Sequence, residues 1–118
     1  MMLINELAHR SGVSPRALRH YDRLGLLTSR RLANGYRDFD DGCVEEVRRI
    51  RLLLGVGLNL EAVAQVLPCF AADGALTACD TARRRLHAQI REVDSSIAEL
   101  LRTRGLLIGT LDSLIESA

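Results

Sequence analysis

The chain has 118 residues, 47% apolar and 26% charged, with nine glycines and two prolines: one globular domain with an extension, not disordered or collagen-like sequence. Aromatics are only 3%, so Leu, Val, Ile and Ala must build the core, as packed helices do. The net charge of +1 conceals a division. Residues 9–37 hold seven arginines against Asp22 alone, a net +6, while residues 57–118 hold six arginines against eight acids, a net −2. A polyanion-binding head on an oligomerising or sensing body fits that division. Three cysteines do not make a disulfide scaffold, and the odd count leaves one thiol over. The longest apolar stretch, Leu52 to Leu58, is too short for a bilayer, and the first residues have neither a basic n-region nor an apolar h-region. The expectation is a cytoplasmic protein with no membrane partner.

Ile4, Leu7 and Ala8 begin a helical pattern closed by Ser11-Gly12. Ser14-Pro15 then reads as an N-cap with proline at the first helical position, where its missing N–H costs nothing. This second helix ends near Leu24, with Gly25 placed for the left-handed stop. Helix, short glycine-containing turn and capped helix form a helix-turn-helix pattern. Ala17, Leu18, Tyr21 and Leu24 are expected to pack inward. Arg16, Arg19, His20 and Arg23 make a basic stripe on another face, either a recognition surface for a major groove or an ordinary solvated arginine face.

The next segment decides between them. Thr28–Leu32 and Tyr36–Phe39 flank Ala33-Asn34-Gly35, and Asn-Gly favours a tight hairpin because both residues tolerate positive φ. A hairpin directly after a helix-turn-helix is a wing, and Arg30, Arg31 and Arg37 equip it to grip phosphates or reach a minor groove. Asp40 or Asp41 is expected to cap a third helix running to about Leu54, with Val44, Val47, Ile50, Leu53 and Leu54 as its apolar side. Cys43 on that helix reads as packing. Asn59 caps a short fourth helix, Leu60 to Leu67, which Pro68 stops. Residues 69–75 read as a loop with Asp73-Gly74 as its turn.

The strongest periodicity follows. Leu86, Ile90, Val93, Ile97, Leu100, Arg104, Leu107, Leu111 and Leu114 alternate spacings of four and three, a coiled-coil seam interrupted at Arg104. The register extends back through Arg83 to Cys79 and Leu76. A helix from about Leu76 to Leu107 is roughly 45–50 Å long and overhangs the small head, so its seam calls for a second copy. Gly105 and Gly109 are expected to mark a bend, with the tail from Gly109 to Ala118 folding back as a lid. The expected fold is mainly α: a winged helix-turn-helix head, residues 1–70, and a dimerisation helix with a short tail, residues 71–118.

The string Ile4-Asn5-Glu6-Leu7-Ala8, the run from Gly12 to Leu27, Asn34-Gly35-Tyr36-Arg37-Asp38-Phe39 and Gly57-Leu58-Asn59-Leu60-Glu61, in this order, resembles the MerR family of bacterial transcription regulators over essentially the whole chain. Leu3 stands where that family usually caps its first helix with Thr or Ser, which leaves the helix to fray or borrow a cap. His20 precedes Tyr21 where the family often has two tyrosines. The resemblance implies a homodimer joined by antiparallel coiled-coil helices on a palindromic promoter operator. Effector-controlled bending and untwisting of that DNA would realign the promoter for RNA polymerase. It implies that Arg16, Arg19, His20 and Tyr21 contact groove and backbone, with Arg30, Arg31, Tyr36 and Arg37 on the wing. Leu86, Ile90, Val93, Ile97, Leu100 and Leu107 would form the dimer seam.

The effector is less legible. Metal-sensing members of that family place a cysteine near the start of the dimerisation helix and further ligands after it. Cys79 matches the first position, but no cysteine follows, so no metal site is complete and no cofactor is expected. Cys69, ten residues earlier, is near enough along the chain for the pair to form a disulfide, react with an electrophile or hold a thiophilic metal. Two small buried hydrophobes, or an organic ligand bound elsewhere, are the alternatives. Cys79 and His87, eight apart on one helix, are too far separated to be a nucleophile and its base, so an enzyme is not expected. An effector-independent, excisionase-like architectural protein is the second functional reading.

Overall fold

The computed structural model describes residues 2–70 and 79–117, without the side chains of residues 115–117. The expected turn at Asp73-Gly74 and the seam position Leu76 lie outside the described residues. The chain divides into two compact units, Met1–Leu76 and Thr77–Ala118. Among the described residues, no helix is long and apolar enough to cross a membrane.

The first unit is built from α1 (Ile4–Ser11), α2 (Pro15–Arg23), β1 (Ser29–Arg31), β2 (Arg37–Phe39), α3 (Cys43–Gly55), α4 (Leu60–Val66) and a 3₁₀ turn, Leu67–Cys69. α1 packs against α2, α3 and β2, and α3 against α4. Leu7, Leu18, Phe39, Val47, Ile50, Val63 and Val66 are fully buried between them. Each such side chain contributes about 1.5–3 kcal/mol by leaving water, so apolar packing holds this small unit together.

Local chemistry sets the ends of these helices. The Ser14 hydroxyl accepts the Ala17 N–H at 3.2 Å with Pro15 following it, and the Asn59 side chain accepts the Ala62 N–H at 2.9 Å. Gly25 adopts φ 76° and lets the Leu26 N–H reach the Tyr21 carbonyl at 3.0 Å, which turns the chain out of α2. Leu3 gives α1 no side-chain cap. The preceding residue compensates: Met2 and Phe39 exchange both backbone hydrogen bonds, at 2.9 and 2.7 Å, so the start of the chain forms an isolated bridge to β2.

Three expectations are corrected in this unit. Leu24, expected to pack inward, is 48% exposed, because α2 ends at Arg23 and Leu24 is its C-cap residue. α3 is not capped by Asp40 or Asp41; its N-cap is Gly42, with no side-chain bond. The Asp40 carboxylate instead accepts the Asp41 N–H at 3.0 Å, and Glu46 in the first turn of α3 accepts the Thr28 N–H and hydroxyl. In the hairpin loop only Gly35 takes positive φ, at 88°. The Gly35 N–H donates to the Leu32 carbonyl at 3.0 Å and the Leu32 N–H to the Tyr36 carbonyl at 2.7 Å. That is a turn followed by a left-handed glycine, and Asn34 has an ordinary φ.

The second unit contains α5, Asp80–Ser117, 38 residues without interruption and about 57 Å long at 1.5 Å per residue. The expected bend and folded-back tail are therefore corrected: Gly105 and Gly109 lie inside the helix. A mid-helix glycine costs only about 0.5–1 kcal/mol relative to alanine, too little to break so long a helix. Thr103, Thr110 and Ser113 back-bond to the carbonyls four residues earlier. Ile90, Val93, Ile97, Leu100, Leu107, Leu111 and Leu114 are all exposed.

Candidate nucleic-acid interface

α2 has two chemically distinct sides. Leu18 and Tyr21 are buried, Tyr21 at 8% exposure, whereas Arg16, Arg19, His20 and Arg23 are exposed. Tyr21 thus stands with the core and not on the basic stripe. Ser14, Arg16, Ala17, His20 and Arg23 line one shallow hollow along that stripe. The high density of arginine follows from helical spacing, since residues three and four apart share a face.

The wing stands beside the stripe. β1 and β2 are antiparallel, with Ser29 opposite Phe39, Arg30 opposite Asp38 and Arg31 opposite Arg37. Arg30 is open to solvent but leans on the buried Asp38 carboxylate at 3.4 Å, and Arg31 donates to the Gly35 carbonyl at 3.2 Å. Tyr36, at the wing tip, is 65% exposed. A second hollow, lined by Arg19, Asp22, Arg23, Arg31 and Arg37, runs between α2 and the hairpin. A third, between the start of α1, α2 and the wing, includes Leu3, Asn5, Arg19, Tyr36 and Arg37. Arg16, Arg19, His20, Arg23, Arg31 and Arg37 therefore border adjoining hollows, whereas Arg30, paired with Asp38, lies on the other face of the hairpin.

Sequence reasoning missed two residues here, Asp22 and Ser29. Arg37 donates from Nε to Asp22 Oδ2 and from Nη2 to Asp22 Oδ1, both at 3.0 Å, and from Nη2 to Ser29 Oγ at 2.6 Å. Ser29 Oγ donates in turn to Asp22 Oδ1 at 2.5 Å. Burial alone would raise the Asp22 pKa. The hydrogen bonds from Arg37 and Ser29 and the charges of Arg37 and Arg31 outweigh it and hold the carboxyl below its ordinary range. Arg37 is correspondingly raised, chiefly by its bond to Asp22. The available signal was that Asp22 is the one acid in a stretch of seven arginines.

The cysteines fall into different settings. Cys43 is a free, fully buried thiol that donates to the Thr28 carbonyl at 3.0 Å; burial, with Glu46 nearby, pushes its pKa up to about 12. It is a packing residue and a poor nucleophile. Cys69 is buried at the end of the 3₁₀ turn, Cys79 is half-buried just before α5, and both sulfurs are in disulfide linkage. Among the described residues no group of three or more His, Cys, Asp or Glu side chains is arranged to hold a metal ion.

Comparison with known proteins agrees with this arrangement. Residues 2–68 match the family model described as MerR HTH family regulatory protein, and residues 44–109 match that described as MerR, DNA binding. The chain is 31% identical over 106 residues to the HTH-type transcriptional regulator HmrR of Rhizobium leguminosarum bv. viciae, covering 90% of this chain and 81% of that protein. It is 30% identical over 113 residues to the HTH-type transcriptional regulator CueR of Salmonella typhimurium, covering 95% and 80%. Among solved structures it is similar to HiNmlR, a MerR family regulator lacking the sensor domain and bound to promoter DNA, with a TM-score of 0.55 at 28% identity over 86% of this chain and 76% of that one. These relatives are transcription regulators and not enzymes. A basic helix-turn-helix with an arginine-bearing wing, matched by two family models that together span most of its length, belongs to the MerR family of DNA-binding transcription regulators.

Proposed function

We propose that the chain works as a homodimer that holds a palindromic promoter operator between two winged heads and controls it by bending and untwisting the DNA. The carrying observation is the pairing of a basic head with a long helix whose apolar seam is exposed from Ile90 to Leu114, with Leu86 half-buried. Such a seam in water is covered by another helix of the same kind. The charge pattern favours an antiparallel partner. Residues 80–91 carry four arginines against Asp80, and residues 106–117 carry Asp112 and Glu116 with no base. With two such helices fully overlapped in opposite directions, Ile97 lies opposite Leu100 of the partner subunit and Ile90 opposite the partner's Leu107. Arg104 then lies opposite the partner's Val93, one residue from the partner's Asp94, which offers its charge an acceptor.

On DNA, Arg16, Arg19 and His20 would meet groove and backbone, with Arg30, Arg31 and Tyr36 gripping phosphates from the wing and Tyr21 holding α2 in place. Phosphate clamps on both flanks suit a regulator that acts through deformability, realigning a promoter for RNA polymerase. Cys69 and Cys79, both disulfide-linked in this structure, are the candidate effector residues: the disulfide would answer to redox state, and only the reduced thiols could meet an electrophile or a thiophilic metal.

The test is fluorescence anisotropy on duplexes from the protein's own upstream region, with reduced protein, oxidised protein and protein plus zinc, beside the Cys69→Ser/Cys79→Ser variant. The expected result is specific binding to a palindrome that changes with cysteine state only in the wild type. Specific binding indifferent to every treatment would turn the search for an effector from the cysteines to organic ligands. Binding no tighter to any of these duplexes than to unrelated DNA would count against an operator in that region.

A further inference from the structure

We propose that Asp22, Ser29 and Arg37 are positioning residues that set the wing against the recognition helix, so that Arg37 serves DNA binding through the wing's placement and not as a phosphate clamp. The proposal rests on the reading that α2 and the wing face DNA. Its ground is the closed ring of hydrogen bonds. The carboxylate of one helix residue receives both nitrogens of the Arg37 fork, and the Ser29 hydroxyl accepts from Arg37 and donates to Asp22. Bidentate pairing of this kind fixes orientation as well as distance. It joins α2 to both strands of the hairpin, because Ser29 lies on β1 and Arg37 on β2.

Exposure separates Arg37 from the other arginines of the region. Its side chain is 36% exposed and that of Asp22 only 12%, whereas the Arg30 side chain is 69% exposed. The strand register adds a second reason for the acid. Arg31 and Arg37 stand directly opposite one another, a like-charge pair that destabilises a hairpin. Asp22 offsets that repulsion. A carboxylate on a DNA-facing surface weakens attraction to phosphate, so its place among seven arginines calls for a structural reason.

The two roles predict opposite signs. Asp22→Asn removes a negative charge, so simple electrostatics tightens DNA binding, whereas loss of positioning weakens it. We expect Asp22→Asn to weaken specific binding about tenfold, as loss of a charge-assisted pair does. Arg37→Ala should weaken binding with the slope of log affinity against log salt unchanged, where a lost clamp would lower that slope by about one. Ser29→Ala, which changes no charge, should weaken binding a few-fold at unchanged slope, and the exchange Asp22→Arg/Arg37→Asp should recover part of the loss. The readouts are full-chain anisotropy titrations from low to high salt, with thermal melts to show that each variant is folded. Tighter binding by Asp22→Asn, or a slope lowered by about one in Arg37→Ala, overturns the proposal. Arg16→Ala is the control for the underlying reading: an unchanged slope there would mean that α2 does not face DNA, a separate failure.

Discussion

The two units solve the same problem in opposite ways. The head has enough helices to bury its own apolar side chains: Leu7, Leu18, Ile50 and Val63 are all 0% exposed. α5 carries a comparable supply of leucine, isoleucine and valine and buries almost none of it; Ile97 is 51% exposed and Leu100 68%. The difference lies in connectivity. Short helices joined by tight turns at Gly12, Gly25 and Gly57 fold back on one another, whereas 38 residues without a break cannot. A single straight helix can remove its stripe from water only through another molecule. The head is therefore where the chain's own sequence suffices, and α5 is where the proposed second copy would complete it.

The contrast breaks most sharply at Ile97. Ile97→Asp places a charge in the middle of the seam, and an unpaired buried charge costs about 3–5 kcal/mol. Dimer affinity should fall at least about a hundredfold, a loss of about 2.8 kcal/mol or more. DNA affinity should fall with it, while the head's melting behaviour stays the same. Sedimentation equilibrium checks the first expectation; a variant that stays dimeric at wild-type concentrations removes the helix from the interface. In the head, Arg16→Ala should weaken operator binding about tenfold and lower the salt slope by about one, with no effect on dimerisation. Anisotropy at several salt concentrations reads both.

A smaller and opposite effect is expected at Arg104. A polar residue at one seam position specifies register at a cost in stability. Arg104→Leu should tighten the dimer several-fold and loosen its specificity, visible in sedimentation as species larger than a dimer. Weaker association of Arg104→Leu would mean that, in the proposed dimer, the arginine contributes more through a charge partner than it costs by burial.

How much was legible follows the range of the interactions. The caps at Ser14 and Asn59, the stop at Gly25 and the helical period from Leu86 to Leu114 are patterns within a few residues of chain, and the structure has the caps, the stop and a helix over that period. Glycine inside α5 was misread because Gly105 and Gly109 look like punctuation, although two small local costs do not outweigh many turns of helix. Gly42 caps α3 because Asp40 has local work elsewhere, which spacing does not reveal. The candidate site divides in the same way. Its basic stripe is a helical period, visible directly, whereas the Asp22–Arg37 pair spans 15 residues and joins a helix to a strand, so only the fold displays it.

That pair also gives the two units different responses to acid. In the folded head the Asp22 carboxyl is held below its ordinary value of 3.8, through Arg37 and Ser29. A carboxyl that binds its proton less readily folded than unfolded stabilises the fold fully above the unfolded value, and that contribution disappears as pH falls through the lowered folded one. The head should therefore keep its stability from neutrality down to about pH 4 and lose this part of it below, while Asp22→Asn, already without the charge, should not show that component. Both tyrosines, Tyr21 and Tyr36, lie in the head, so tyrosine fluorescence follows that unit, whereas helical circular dichroism is weighted toward the 38 residues of α5. Melts monitored by fluorescence should show the gap between wild type and Asp22→Asn narrowing from pH 5 to pH 2. A gap that stays constant over that range would mean that the ionised carboxylate is not what ties the wing to α2, and that the hairpin is held by its backbone ladder and the buried Phe39 alone.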